Sequence, residues 1–335
     1  MNIQTPRQLI SAIPHLVGFH PDHSLVLVAF DDDEISSVVR IDFPTEAESF
    51  VFPKILQRVI GTLDNPHLVA IAYVDCEQDD LLELKVTQVT QVLHKFCETQ
   101  SWPVLDLLQV TNNTWRSLMC NDENCCPVLG HELSASTPTT EIEFVIAGSS
   151  PFASRETLAA RLAHRDLGDG KEDFDKDFLD VKKEVEEKLQ SLETIGIAQV
   201  VDEIFLELSK TSHVDFRHVA RCAVGIENIR VRDGLLRQIF DNPEVRTCVR
   251  ANLFEVVSLV PAGYVAASAT VLAGCAWLDG NGALARIAID VALEADSTYS
   301  LARLLDTALS HGIPPRVWSD SLAAVSYEDC LAGAA

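Results

Sequence analysis

The stretch HLVAIAYVDCEQDDLLELKVTQVTQVLHKFCETQSWPVLDLLQV, His67–Val110, decides the fold. It opens on a nearly unbroken apolar run from His67 to Val74, the pattern of a strand covered on both faces. Leu82, Val86, Val89, Leu93 and Phe96 then recur at helical spacing, which predicts an amphipathic helix over residues 79–98. Val104 to Val110 reads as the next strand. Strands alternating with helices favour an α/β domain with a largely parallel sheet and covering helices.

Outward from that stretch, the upstream runs SLVLVAF (Ser24–Phe30) and SVVRIDF (Ser37–Phe43) are β-rich and joined by Asp31-Asp32-Asp33-Glu34. If they close as a hairpin, the sheet is mixed. Pro53 opens a helical pattern of Ile55, Leu56, Val59, Ile60 and Leu63. Downstream, an insert at about 112–135 carries Cys120, Cys125 and Cys126, and EIEFVIA (Glu141–Ala147) reads as the last strand.

The α/β domain is expected over residues 1–160. Residues 161–190 are densely charged and read as a solvated linker or an exposed helix. Residues 191–335 read as helical throughout. Trp277 and Gly280 end one helix. Asn281–Ala295 forms the next, with Ala285, Ile289 and Ala292 on one face, like the second half of a tetratricopeptide repeat. A further helix, Tyr299–Ser310, is stopped by Gly312 and Pro314-Pro315.

The chain of 335 residues has 26 Lys and Arg against 50 Asp and Glu, a net charge of −24. Phosphate neutralisation needs clustered basic side chains, so a general nucleic-acid role is not expected. Residues 1–150 carry a net −14, from seven basic and 21 acidic side chains. The N-terminus has no signal-peptide pattern, and nine cysteines, an odd number, fit a reducing cytoplasm better than a disulfide framework. The uncharged run Val256–Leu278 is long enough to span a bilayer, but it is rich in Ala, Gly and Ser and carries Pro261. It reads as a buried helix, and no membrane role is expected.

Four constellations have chemical potential. Thiolates are nucleophiles and soft metal ligands, and structural zinc takes four Cys or His ligands. Cys120, Cys125 and Cys126 supply at most three, and neighbouring cysteines seldom both reach one metal. A fourth ligand would come from His131, Cys97 or Cys76. A redox role, or plain packing of small apolar side chains, stands beside the zinc reading. The segment Gly18-Phe19-His20-Pro21-Asp22-His23-Ser24 is a tight connection into the first strand, and its two histidines read as solvent-exposed rather than as a metal pair. Strand carboxyl ends would present Asp42, Asp75, Asn112-Asn113 and Gly148-Ser149-Ser150, with Ser154 and Arg155 beyond, where open α/β sheets bind ligands. Finally, Arg217, Arg221, Arg230, Arg232, Arg237, Arg246 and Arg250 cluster without a Lys. They make either an anion-binding groove or surface pairs, partly with acids of the other domain.

Taken together, several motifs resemble the actinobacterial domain of unknown function 4192 (DUF4192) family. They are Pro14 with Gly18-Phe19-x-Pro21-x-x-Ser24-Leu25-Val26, then Trp115-Arg116-Ser117 with Cys120-x4-Cys125-Cys126-Pro127-x-x-Gly130. Gly148 and Ser154-Arg155-Glu156 come next, then Trp277-x-x-Gly280-x-Gly282-Ala283-Leu284-Ala285-Arg286. The resemblance covers nearly the whole chain and implies fold and kinship, but no activity.

Three functions are expected from these residues. The first is a non-enzymatic adaptor that uses its helical half for a protein partner or self-association. The second is an enzyme of phosphoryl or hydrolytic chemistry using Asp42, Asp75 and Arg155. The third is a zinc- or thiol-dependent regulator built on Cys120, Cys125, Cys126 and His131.

Overall fold

The computed structural model describes residues 3–31, 34–44, 53, 56–57, 66–74, 80–111, 114–133, 139–146, 150–163, 165, 167–190, 194–211 and 215–333. The chain divides into two compact units, Met1–Arg155 with His311–Ile313, and Glu156–Ser310 with Pro314–Ala335. The helix pattern opened by Pro53 lies mostly outside the described residues.

Thr5 sets where the chain first becomes regular. Its hydroxyl accepts from the Gln8 amide while the Gln8 side chain returns to the Thr5 amide, and Pro6 takes the first helical position. Helix α1, Pro6–Val17, results, and Gly18 closes it in the left-handed region at φ 93°. The apolar-run reading of the sequence passes over this helix.

Six strands build the sheet: β1 Ser24–Asp31, β2 Glu34–Asp42, β3 His67–Tyr73, β4 Val104–Val110, β5 Thr114–Ser117 and β6 His131–Glu132. Their order is β2-β1-β3-β4-β5-β6. Among the described strands only β3 and β4 run parallel; the other four pairings are antiparallel. The sheet is therefore mixed, and the largely parallel alternative is corrected. A parallel neighbour needs a long crossover, whereas the short β1–β2 and β4–β5 connections force the chain straight back.

Helix α2, Asp80–Gln100, supplies the crossover between β3 and β4. Its Val86, Val89, Leu93 and Cys97 pack on Leu25, Leu27, Leu68, Ala70, Ala72 and Leu107. The alternate residues, Val26, Val28, Val69, Ile71, Leu108 and Val110, are buried on the opposite face. Burial on both faces is why β3 reads as a continuous apolar run.

The expected last strand at Glu141–Ala147 is instead a helix, α3, Thr139–Ile146. Its β-branched residues invite the strand reading. The helical register, however, turns Phe144 onto α1, where its ring stacks on His15 at 4.7 Å. The sheet position beside β4 is already taken by β5.

The second unit is helical. Helix α4, Arg155–Leu162, leads into it, and α5, Lys171–Gln190, is the charged segment. That segment is no solvated spacer: α5 buries Phe174, Phe178, Val181 and Val185 within this unit. Next come α6 Thr194–Leu208, α7 Phe216–Ile226, α8 Ile229–Asp241, α9 Arg246–Leu259, α10 Val265–Leu278 and α11 Gly282–Ala295. Helices α12 Ser300–Ser310, α13 Pro315–Ala323 and α14 Tyr327–Ala332 complete it. Helix α10 is buried on every side from Ala266 to Trp277. The uncharged run is thus the end of α9 and all of α10, separated at Val260-Pro261, whose extended backbone interrupts the helix. Among the described residues no helix is long and apolar enough to cross a membrane.

The turn between α10 and α11 explains the tryptophan–glycine motif. Gly280 takes φ +74°, and its amide bonds back to Trp277 O at 2.9 Å. The Asn281 amide reaches Ala276 O at 2.9 Å, and the Asn281 side chain caps α11 by accepting from the Leu284 amide.

Close helix contact makes another glycine necessary. A Cβ on Gly225 of α7 would lie 2.6 Å from Ile204 Cδ1 and 3.1 Å from Val200 Cγ1, both on α6 and fully buried. Gly225→Ala is expected to lower stability by about 1–3 kcal/mol through overpacking, despite alanine's better helix propensity. Urea denaturation checks this, and an unchanged midpoint would show that α6 can move aside.

Candidate metal centre

The segment between β5 and β6 is built from the strand upward. Ser117 Oγ donates to Asp106 Oδ1 at 2.6 Å, and Arg116 Nε donates to Gln109 Oε1 at 3.0 Å, so β5 is pinned to β4 by both faces. The chain then leaves the sheet through Cys120. Asp122 organises the bend beyond it. The Asp122 carboxylate accepts from the Asn124 amide at 2.9 Å, and its carbonyl accepts from the amides of Cys125 (3.0 Å) and Cys126 (2.7 Å). Gly130 returns the chain at φ +74°, where a Cβ would meet Trp115 O at 2.9 Å, so only glycine fits. His131 then pairs with Trp115 across the strands and stacks on its ring at 4.7 Å.

This bend brings Cys120, Cys125 and Cys126 together, with their Sγ atoms all within 4.8 Å of one another. The adjacent Cys125 and Cys126 both belong to the cluster, and the two amide bonds to the Asp122 carbonyl curl the backbone between them and Cys120. The thiols compete for protons. Backbone hydrogen bonding at Asp122 and the neighbouring thiols lower the pKa of Cys120, while hydrogen bonding and charge at Cys120 push Cys125 up to about 11. A cation among them would remove that conflict, because it favours every thiolate at once. Tetrahedral zinc with Zn–S of about 2.3 Å places its sulfurs about 3.8 Å apart, which the cluster can adopt.

The expected fourth ligands fare differently. His131 lies beside the cluster but outside it, with Nε2 bonded to the Cys125 carbonyl at 2.8 Å. Cys97 lies on α2 and is buried in the core between that helix and the sheet. Cys76 is outside the described residues. All eight described cysteines are free thiols.

Among the described residues, the strand-end candidates join no metal-competent group. Asp42 is exposed and paired with Arg40 at 2.5 Å. Asp75, Asn112, Asn113, Gly148 and Ser149 lie outside the described residues, and Arg155 is half-buried at the start of α4. The glycine–serine motif before β1 is a structural lock. Ser24 is fully buried, donates to Asp22 O and accepts from Arg40 Nε at 2.8 Å. Phe19 bridges to Phe152 through two backbone bonds, and Pro21 lies in the turn between them and Ser24. His20 and His23 are exposed and join no metal-competent group among the described residues.

A family model described as Domain of unknown function (DUF4192) matches residues 6–316. The chain belongs to the DUF4192 family. No curated protein and no solved structure matches it. The DUF4192 match spans both units, from α1 into α13.

The arginines of this DUF4192 chain are structural fasteners, which corrects the anion-groove reading. Arg217 and Arg221 bridge to Glu184. Arg246 donates to the last carbonyls of α8, Ile239 and Phe240, and Arg250 pairs with Asp279. Arg237 donates to the carbonyls of Leu322 and Val325 at the end of α13, and Arg230 donates to Leu331 O in α14. Arg232 holds Asp233 and Tyr299. Helix ends expose unmet carbonyls, and a guanidinium with five donors can meet several of them. These acids and carbonyls belong to the same helical unit, not to the other domain.

The residue that sequence reading passes over is Asp122. Its signal is present in Asn121-Asp122-Glu123-Asn124, a turn-forming sequence placed between the thiols.

Proposed function

We propose that this DUF4192 protein is a metal-dependent binding protein of the zinc- or thiol-regulated kind, without catalysis of its own. One zinc ion is held by the thiolates of Cys120, Cys125 and Cys126, and the fourth position is left to a water or an outside donor. The convergence of three Sγ atoms in one bend carries this reading. Zinc would fix the loop and so present the apolar tip directly behind the thiols, where Val128 and Leu129 are 68% and 87% exposed. A protein partner at that tip is the adaptor role in its most concrete form. The tetratricopeptide-like pair α10–α11 would serve as internal frame, since α10 has no exposed face to offer.

Metal analysis of reduced, untagged protein tests the proposal. About one zinc per chain is expected, falling below about 0.2 in Cys126→Ser, because structural thiolate sites bind zinc tightly. Parent protein at less than about 0.2 zinc per chain under non-chelating conditions sinks it.

A further inference from the structure

Solvent reaches the cysteines of this chain unequally. Cys97, Cys222, Cys275 and Cys330 are buried, and burial holds each of these four thiols in its protonated, unreactive form. Cys248 of α9 is half-buried. In the bend between β5 and β6, Cys125 is exposed and Cys120 and Cys126 are half-buried. Their three Sγ atoms lie within 4.8 Å of one another. An oxidant arriving from solvent therefore meets, at this bend, a sulfur with two others in reach.

Covalent geometry decides which pair can bond. Cys125 and Cys126 are consecutive, so their Cα atoms stand about 3.8 Å apart across a trans peptide. A relaxed disulfide spans about 4.4–6.8 Å between Cα atoms, so a bond between these neighbours is strained. Any unstrained bond within the cluster must include Cys120. The turn that brings Cys120 to the pair is already folded, because the Asp122 carbonyl accepts from the amides of both Cys125 and Cys126. Closing the remaining gap to a sulfur–sulfur bond of about 2.05 Å takes rotamer changes of solvent-facing side chains, not refolding.

We propose that this bend is a reversible oxidation site for hydroperoxides, closed by a disulfide between Cys120 and one of the adjacent pair, Cys125 or Cys126. A thiolate attacks the peroxide, the O–O bond breaks, and a sulfenic acid forms as hydroxide or alkoxide leaves. The second thiol then attacks that sulfur. The S–O bond breaks, the S–S bond forms, and water leaves with the thiol's proton. The two sulfurs together lose the two electrons that the peroxide gains. One thiol remains, too few to hold zinc, so closure releases the metal. That release rests on the metal reading; formation of the bond does not. A solvent-facing disulfide is open to attack by small thiols, which restores the reduced cluster.

The sequence makes the test direct, because residues 117–155 form a single tryptic peptide with these three cysteines and no other. The full chain, metal-free and zinc-loaded, is exposed briefly to hydrogen peroxide, denatured, alkylated and mapped by mass spectrometry. Alkyl groups on this peptide are expected to fall from three to one, and to return to three after a thiol reductant. Peptides of the buried cysteines should keep their alkyl groups at the same dose. From the zinc-loaded chain, metal should reach a chromophoric chelator in step with the loss of thiols. Cys120→Ser is expected to form no disulfide. The proposal is overturned if the parent peptide still takes three groups, if sulfinic acid appears in place of the disulfide, or if Cys120→Ser forms a disulfide as the parent does. A parent that binds no zinc but falls from three to one refutes the metal reading alone. A parent that binds zinc and keeps three refutes the oxidation site alone.

Discussion

Trp277→Ala is expected to cost the helical unit about 3–5 kcal/mol of stability, the range for removing a large buried aromatic. Trp277 ends the buried helix α10 and is 3% exposed. Its ring stacks on Trp318 of α13 at 6.0 Å and 12°. Trp318 in turn donates from Nε1 to Gly274 O, one turn back on α10. The truncation therefore leaves a cavity and also strips one face of the ring that fastens α13 to the centre. Collapse is hindered because α10 is already in contact on all sides, so the loss should sit in the upper part of the range. Trp277→Phe keeps most of the volume and should recover more than half of it. Urea denaturation monitored by helical circular dichroism reads both variants. A loss below about 1 kcal/mol for the alanine variant would mean that the ring is not packed as described.

Much of this fold is legible in the sequence because burial leaves a pattern. Strand β3 and helix α2 track the apolar residues of His67–Val110 closely, since one is covered on two faces and the other on one. Helix α1 escapes such a reading although Thr5-Pro6-Arg7-Gln8 carries its capping box, because a cap is a signal of four residues and not of periodicity. Helix α3 reads as a strand because Ile142, Val145 and Ile146 are β-branched, and eight residues are too few for period to outweigh propensity. Strand direction is the other loss. Parallel or antiparallel pairing depends on the length and path of connections, which residue type does not encode.

The same distinction governs the sites. The three cysteines are visible as chemistry, but their convergence depends on the Asp122 carbonyl, a backbone group that no motif names. The arginine cluster shows the converse: its density suggests a ligand, and the structure spends it on the carbonyls at helix ends and on nearby acids.

Acid should weaken the helical unit through one side chain, His218 of α7. The ring is 3% exposed, its Nε2 lies 3.3 Å from Cys222 Sγ, and its Nδ1 is buried without a partner among the described residues. Burial, with smaller and partly cancelling effects of Glu207, Arg221, Asp215 and Lys210, lowers its pKa to about 4. Burial also raises the Cys222 thiol, which stays neutral and offers no charge to stabilise an imidazolium. In the unfolded chain the same histidine titrates near its ordinary value of about 6.5. Between those values the unfolded state holds a proton that the folded state refuses. The contribution to stability is therefore complete above about pH 7 and falls as pH drops through 6.5 toward 4. It changes no further below that, after a loss of about 3 kcal/mol. Urea midpoints of the parent and of His218→Gln at pH 7.5 and pH 4.5 isolate this group from the carboxylates common to both. The parent should lose about 2.5 kcal/mol more than the variant over that interval. Equal losses in the two proteins would place His218 in water rather than in the core.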